Sequence, residues 1–197
     1  MSVGHNISTK NAGWTFGGFD VVEGGQYGYY FNAYVAEFRQ YRGYDEALQT
    51  GPYNFIGPDL VEHYPYQDGL LISYWDSSQA DNNTASHPGE GLILPIDAHP
   101  EPLALGPDTP FPGALWWGSI QTFDATFGME PTDPIVLNYG GVPTYYPSRP
   151  AVSVFNANNE YWLQGLPHHG VNPPKSDTQI RIKSVSAQGS FMQVEVR

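Results

Sequence analysis

Residues 69–100 read GLLISYWDSSQADNNTASHPGEGLILPIDAHP and carry the strongest strand signals in the chain. Two apolar runs, Gly69–Trp75 and Gly91–Ile96, are each followed by an aspartate, Asp76 and Asp97. Apolar runs of this length, bounded by turn residues, predict buried strands. Pro95 lies inside the second run and places that residue at a sheet edge or a bulge. The loop between the runs is dense in Asp, Asn, Ser, Gly and His. With a carboxylate at the exit of each strand, it predicts a calcium site built from Asp76, Asp81, Asn82, Asn83, Glu90 and Asp97, because hard cations gather carboxylate, amide and carbonyl oxygens. The spacing is not that of an EF-hand. The competing reading is that Asp81-Asn82-Asn83 makes Asx turns.

Strand signals continue outward from this stretch. Tyr27–Arg42 is the longest candidate, with Tyr27, Tyr29, Phe31, Ala33 and Val35 on one face and Tyr30, Tyr34, Ala36 and Phe38 on the other. Apolar groups on both faces predict a central strand covered on both sides, or a strand whose outer face meets another domain. Glu37 and Arg39 point the same way and predict an ion pair bracing the sheet. Tyr44–Gln49 fits one helical turn, and Thr50–Gln67 reads as loop. Leu103–Gly113 is a proline-rich connector leading to a strand over Leu115–Phe123, with Trp116 and Trp117 on opposite faces. Pro134–Tyr139 and Ala151–Phe155 read as short strands with a loop between them, and Tyr161–Pro174 as irregular. Thr178–Val185 and Ser190–Val196 predict a closing hairpin across Ser186–Gly189.

Composition supports an all-β chain. Among 197 residues there are 22 Gly, 18 Pro, 14 Tyr, 10 Phe and 5 Trp. Proline at this density disfavours long helices, while aromatic residues favour strands. The expectation is a β-sandwich of jelly-roll type with long Pro/Gly-rich loops and little helix. Residues 1–26 form an irregular lead-in, with an edge strand near Trp14–Phe16, and residues 27–197 form one domain. The absence of cysteine removes disulfides, thiolate zinc sites and cysteine nucleophiles. The formal charge of −12, from 20 acidic against 8 basic residues, repels nucleic acid and anionic membrane. It suits an extracellular protein. No run reaches the ~20 apolar residues of a membrane span. MSVGHNISTK lacks a basic segment and an apolar core, so it does not read as a signal peptide. Asn6-Ile7-Ser8 and Asn82-Asn83-Thr84 match the glycosylation sequon, which matters only in a eukaryotic secretory host.

Catalytic signatures are missing from the sequence. There is no HExxH, GxSxG elbow, Walker loop or dinucleotide fingerprint. The histidines His5, His63, His87, His99, His168 and His169 show no i, i+4 pair, so no zinc is expected. His87 and His99 flank one strand at roughly 20 Å, too far apart to share a metal. His168-His169 sits in a Pro/Gly loop and reads as structural. A carboxylate-dependent hydrolase needs only two acids at the right separation, which sequence does not reveal.

Several motifs taken together resemble immune inhibitor A-type metallopeptidases. They are Glu37-Phe38-Arg39, Gly43-Tyr44-Asp45, Gly69-Leu70-Leu71-Ile72-x-Tyr74-x-Asp76, Asp81-Asn82, His87-Pro88-Gly89-x-Gly91 and Ile96-Asp97-Ala98-His99. Gln121-x-x-Asp124-Ala125-x-Phe127, Gly170-Val171-x-x-Pro174 and the closing hairpin continue the series. The resemblance covers about residues 27–196 and is to the C-terminal accessory part, the VEG domain, without the HExxH-bearing catalytic domain. It implies a non-catalytic sandwich of a secreted zinc metallopeptidase, whose partners are the catalytic domain of the same protein and protein substrate. An extracellular glycan- or surface-binding module is the alternative, with Trp75, Trp116, Trp117 and Trp162 as a stacking platform.

Overall fold

The computed structural model describes residues 20–22, 26–28, 30–47, 67–115, 124–139, 141–187 and 189–197. Among the described residues there are ten strands: β1 Asp20–Val22, β2 Gln26–Gly28, β3 Asn32–Arg39, β4 Gly69–Asp76, β5 Ile93–Ile96, β6 Ile135–Tyr139, β7 Val142–Tyr146, β8 Val154–Asn156, β9 Gln179–Val185 and β10 Met192–Val196. A short 3-10 turn at Gly43–Asp45 begins the helical piece expected over Tyr44–Gln49. The predicted edge strand near Trp14–Phe16, most of the Leu115–Phe123 strand, and Trp116 and Trp117 lie outside the described residues.

Two three-stranded antiparallel sheets form the sandwich, in the orders β3-β4-β5 and β8-β9-β10. Strand alternation decides what they bury. Opposite pairs Tyr34↔Tyr74, Ala36↔Ile72, Ile72↔Ile96 and Tyr74↔Leu94 put one apolar set on the inner face of the first sheet. Phe155, Ile180, Ile182, Val194 and Val196 supply the facing layer. Phe127, Phe155, Ile72, Ile96 and Ile180 are fully buried. Each such side chain contributes about 1.5–3 kcal/mol. Phe155 is the hub, with ring centroids of Tyr34, Tyr161 and Phe127 at 4.9, 5.5 and 5.8 Å. Among the described strands, hydrogen-bonded neighbours are consecutive in the chain.

The structure corrects three local expectations. Tyr27–Arg42 is not one strand: β2 pairs with β1, and β3 starts at Asn32. The Ser77 hydroxyl ends the β3 ladder by accepting the Phe31 N–H at 2.8 Å and donating to the Phe31 carbonyl at 3.0 Å. Among the described strands β3 is an edge and β4 is the centre of the sheet. The loop read between residues 139 and 151 contains β7, which pairs with β6. Pro143 suggested a loop there, but a strand paired on one side tolerates a missing donor. Pro95 sits on β5, opposite Ser73, at the edge its proline predicted.

At the end of β5 the ladder passes to another segment. β5 covers β4 from Ile72 to Trp75, and Phe127 takes its place beside Leu70 with reciprocal hydrogen bonds of 2.8 and 2.9 Å. This hand-over requires Gly69. A Cβ there would lie 2.7 Å from the Phe127 carbonyl oxygen and 2.8 Å from Thr126 Cβ. Ala98 N–H donates to the Ala125 carbonyl at 3.0 Å, so residues 97–99 and 124–127 run side by side.

Candidate functional site

The antiparallel β4–β5 pair separates the carboxylates that sequence had placed together. Asp76 leaves β4 beside Leu92, whereas Asp97 leaves β5 at the far end of the sheet. About five residues of strand, roughly 17 Å, lie between the two ends. Asp97 therefore stands apart from Asp76, Asp81, Asn82, Asn83 and Glu90.

Those five residues hold the loop together with their own hydrogen bonds. Asp76 Oδ1 accepts the Ser78 N–H and O–H at 2.9 and 2.7 Å. Asp81 Oδ1 accepts the Asn83 N–H at 2.7 Å, and the Asn83 side chain accepts the Ala85 N–H at 3.1 Å. These are the Asx turns of the competing reading. Asn82 Oδ1 accepts the Ile93 N–H at 2.8 Å, and Glu90 accepts from Gln79 at 3.0 Å. His87 lies between the Glu90 carbonyl, 2.7 Å from Nδ1, and Asp81 Oδ1, 2.8 Å from Nε2. The Glu90 carbonyl and then Asp81 raise the His87 pKa. The Asn83 N–H and then His87 lower that of Asp81. The loop docks on residues 161–174 through Asn172 N–H to the Gly89 carbonyl (2.8 Å) and His168 Nδ1 to the Thr84 carbonyl (3.0 Å). Gly89 packs under Trp162, whose Nε1–H donates to the Pro167 carbonyl at 3.1 Å.

At the opposite end of the sheet, Asp97, His99 and Asp124 come together. One ligand atom from each lies within 4.8 Å of the others, and all three side chains are buried. Asp97 Oδ1 accepts the His99 N–H at 2.7 Å. His99 places Nδ1 2.8 Å from the Asp124 carbonyl and Nε2 2.9 Å from that of Pro150. Arg149 closes the group: Nη1 donates to the His99 carbonyl at 3.1 Å and lies 3.3 Å from Asp124 Oδ2, without the alignment of a hydrogen bond. Glu101, more exposed, is 3.5 Å from the same Nη1. The group thereby ties the exit of β5, the 124–127 segment and the approach to β8. Beside it opens a cleft of about 660 Å3, with Phe38, Met129, Val152 and Met192 in its walls and His99, Thr126 and Thr132 on the side of the joint.

Burial, then the Asp124 charge, pushes the Asp97 carboxyl well above the usual carboxylate range, against the His99 N–H and Arg149. Burial also raises Asp124, opposed first by Arg149 and then by His99. A carboxyl raised in the folded state contributes stability below its unfolded pKa of ~3.9, and that contribution is lost as pH rises through the folded value. In chelator, Asp97→Asn is therefore expected to melt a few degrees above the parent at pH 7, with the gap closing toward pH 4. Asparagine keeps the acceptor for His99 N–H and removes the buried charge. Melting curves from pH 4 to 8 check this, and a variant that melts lower at pH 7 contradicts it.

Glu37 and Arg39 pair with each other at 3.2 Å along the outer face of β3, as an ion pair within one strand. Sequence reading assigned Asp97 to the wrong neighbours and passed over Asp124 and Arg149. The signal for Asp124 was its place in the Gln121-x-x-Asp124-Ala125-x-Phe127 motif. For Arg149 it was the scarcity of basic residues, 8 in the chain.

Fold and site define an all-β sandwich module in which a buried, charged joint locks the end of one sheet. Residues 28–194 match the family described as immune inhibitor A-like metallopeptidase, VEG domain, and the chain belongs to that family. Immune inhibitor A of Bacillus thuringiensis subsp. alesti is 31% identical over 151 residues, which are 76% of this chain and 20% of that protein. The chain thus spans about a fifth of the length of the curated relative it matches. Among the described residues, no helix is long and apolar enough to cross a membrane.

Proposed function

We propose that the chain is a non-catalytic accessory domain of a secreted metallopeptidase, and that it docks on the catalytic domain of its parent through the outer face of β3-β4-β5. One observation carries this reading: that face presents an aromatic and aliphatic patch to solvent. Trp75 and its cross-strand neighbour Ile93 are 38% and 40% exposed. The Phe31 ring packs edge-on against Trp75 at 4.7 Å. A large aromatic side chain held by a neighbour and still exposed is the usual anchor of an interface. The match to a relative about four times as long supports a neighbour in the same polypeptide. The loop 77–92 is then a brace of this domain, and calcium, if it binds there, strengthens it.

The test pairs this chain with the metallopeptidase domain of its own reading frame in a titration. Binding is expected, and Trp75→Ala should weaken it by about 30-fold, the loss of about 2 kcal/mol at an anchor. No measurable binding, or a Trp75→Ala variant that binds like the parent, removes the proposal. Binding of a glycan array by the isolated chain, lost in Trp75→Ala, would favour the stacking-platform reading instead.

A further inference from the structure

We propose that Asp97, His99 and Asp124 bind one divalent cation with a taste for mixed oxygen and nitrogen donors, zinc or manganese in class. The case begins with the His99 ring. If Nε2–H donates to the Pro150 carbonyl at 2.9 Å, the ring is held as metal-ligating histidines usually are, by a backbone acceptor on the nitrogen away from the metal. Nδ1 then carries a lone pair, and it faces the Asp124 carbonyl oxygen at 2.8 Å. Two lone pairs in contact repel unless something positive shares them. A cation on the Nδ1 side meets that need; a second ring proton is the other occupant.

The carboxylates point to the cation. Asp124 is 2% exposed, and its Oδ2 has no hydrogen-bond partner among the described residues although it lies in the cluster. Arg149 is near, but its alignment with Oδ2 is poor. A buried carboxylate left with a weak partner is costly, and a metal ion is among the few groups that repay it. The Asp97 carboxylate is already oriented by the His99 N–H. Oxygen donors alone would favour calcium or magnesium, and the imidazole shifts the preference toward zinc or manganese. A search for helical histidine pairs passes over this set, because its members come from two loop segments joined only by the fold.

The whole chain, stripped with chelator and desalted, is equilibrated separately with zinc, manganese and calcium. Bound metal is then measured by elemental analysis, and stability by melting. The expected result is close to one equivalent of zinc or manganese per chain and a higher melting midpoint. Asp97→Asn should weaken binding by about 100-fold or more, beyond the loss from removing an outer partner alone. Asp81→Asn, in the loop at the other end of the sheet, should bind as the parent does. If Asp124→Asn does not fold, Asp97→Asn carries the test, since it keeps the acceptor for His99 N–H. Retention of no metal, retention of calcium alone, or dependence on Asp81 instead of Asp97 overturns the site. So does a nitrogen NMR spectrum showing both His99 ring nitrogens protonated with metal in excess.

Discussion

Phe155→Ala is expected to cost about 3–5 kcal/mol and to lower the melting midpoint by about 10 °C. Phe155 is fully buried and sits where both sheets and the 124–127 segment meet, touching the rings of Tyr34, Tyr161 and Phe127. Truncation removes the transfer energy of the ring, opens a cavity between three other aromatics, and deletes edge and stacking contacts worth about 0.5–1.5 kcal/mol each. The surrounding strands cannot collapse into the gap without breaking the β8–β9 and β3–β4 ladders. Phe191 is the control: it is 62% exposed, and its change to alanine should stay within about 0.5 kcal/mol. Denaturant melts of the two variants decide the matter. Equal costs would mean that the core is not centred on Phe155.

Gly170→Ala is the second large effect, about 3 kcal/mol or more. Gly170 has φ +82°, which alone costs an alanine about 1–2 kcal/mol. A Cβ there would also run into the carbonyl oxygen of Tyr161. That carbonyl accepts the Val171 N–H at 3.0 Å, so the backbone cannot yield without losing the bond and exposing buried Val171. Gly165, five residues before Gly170 in the same loop, has open space around it. Gly165→Ala should therefore leave the melt nearly unchanged. A Gly170→Ala variant that melts like the parent would rule out this close approach of the chain.

The elements that sequence made legible are those whose signal is local. β4, β5 and the β9–β10 hairpin follow from alternation and turn residues over a few positions, and the edge position of Pro95 follows from its missing donor. Gly69 and Gly170 appeared in the family motifs, but their reason did not: each admits another segment's backbone at a distance where a Cβ would collide. The Tyr27–Arg42 run shows the limit of periodicity. Its pattern continues through residue 31, while the ladder stops at residue 32 because the Phe31 N–H turns to the Ser77 hydroxyl instead of a backbone carbonyl.

Sequence by itself determined the class of fold, the alternation of buried and exposed positions on the main strands, and the family, because each rests on residue types at short, fixed spacings. Only the tertiary structure decided the company of Asp97. The antiparallel return of β5 carried it to the end of the sheet away from the acidic loop. The hand-over from β5 to Phe127 then set it beside Asp124, and the approach to β8 brought Arg149 to the same place. A carboxylate's neighbours are fixed by where distant segments meet, and the ladder hydrogen bonds that bring them there use the backbone, which every residue shares.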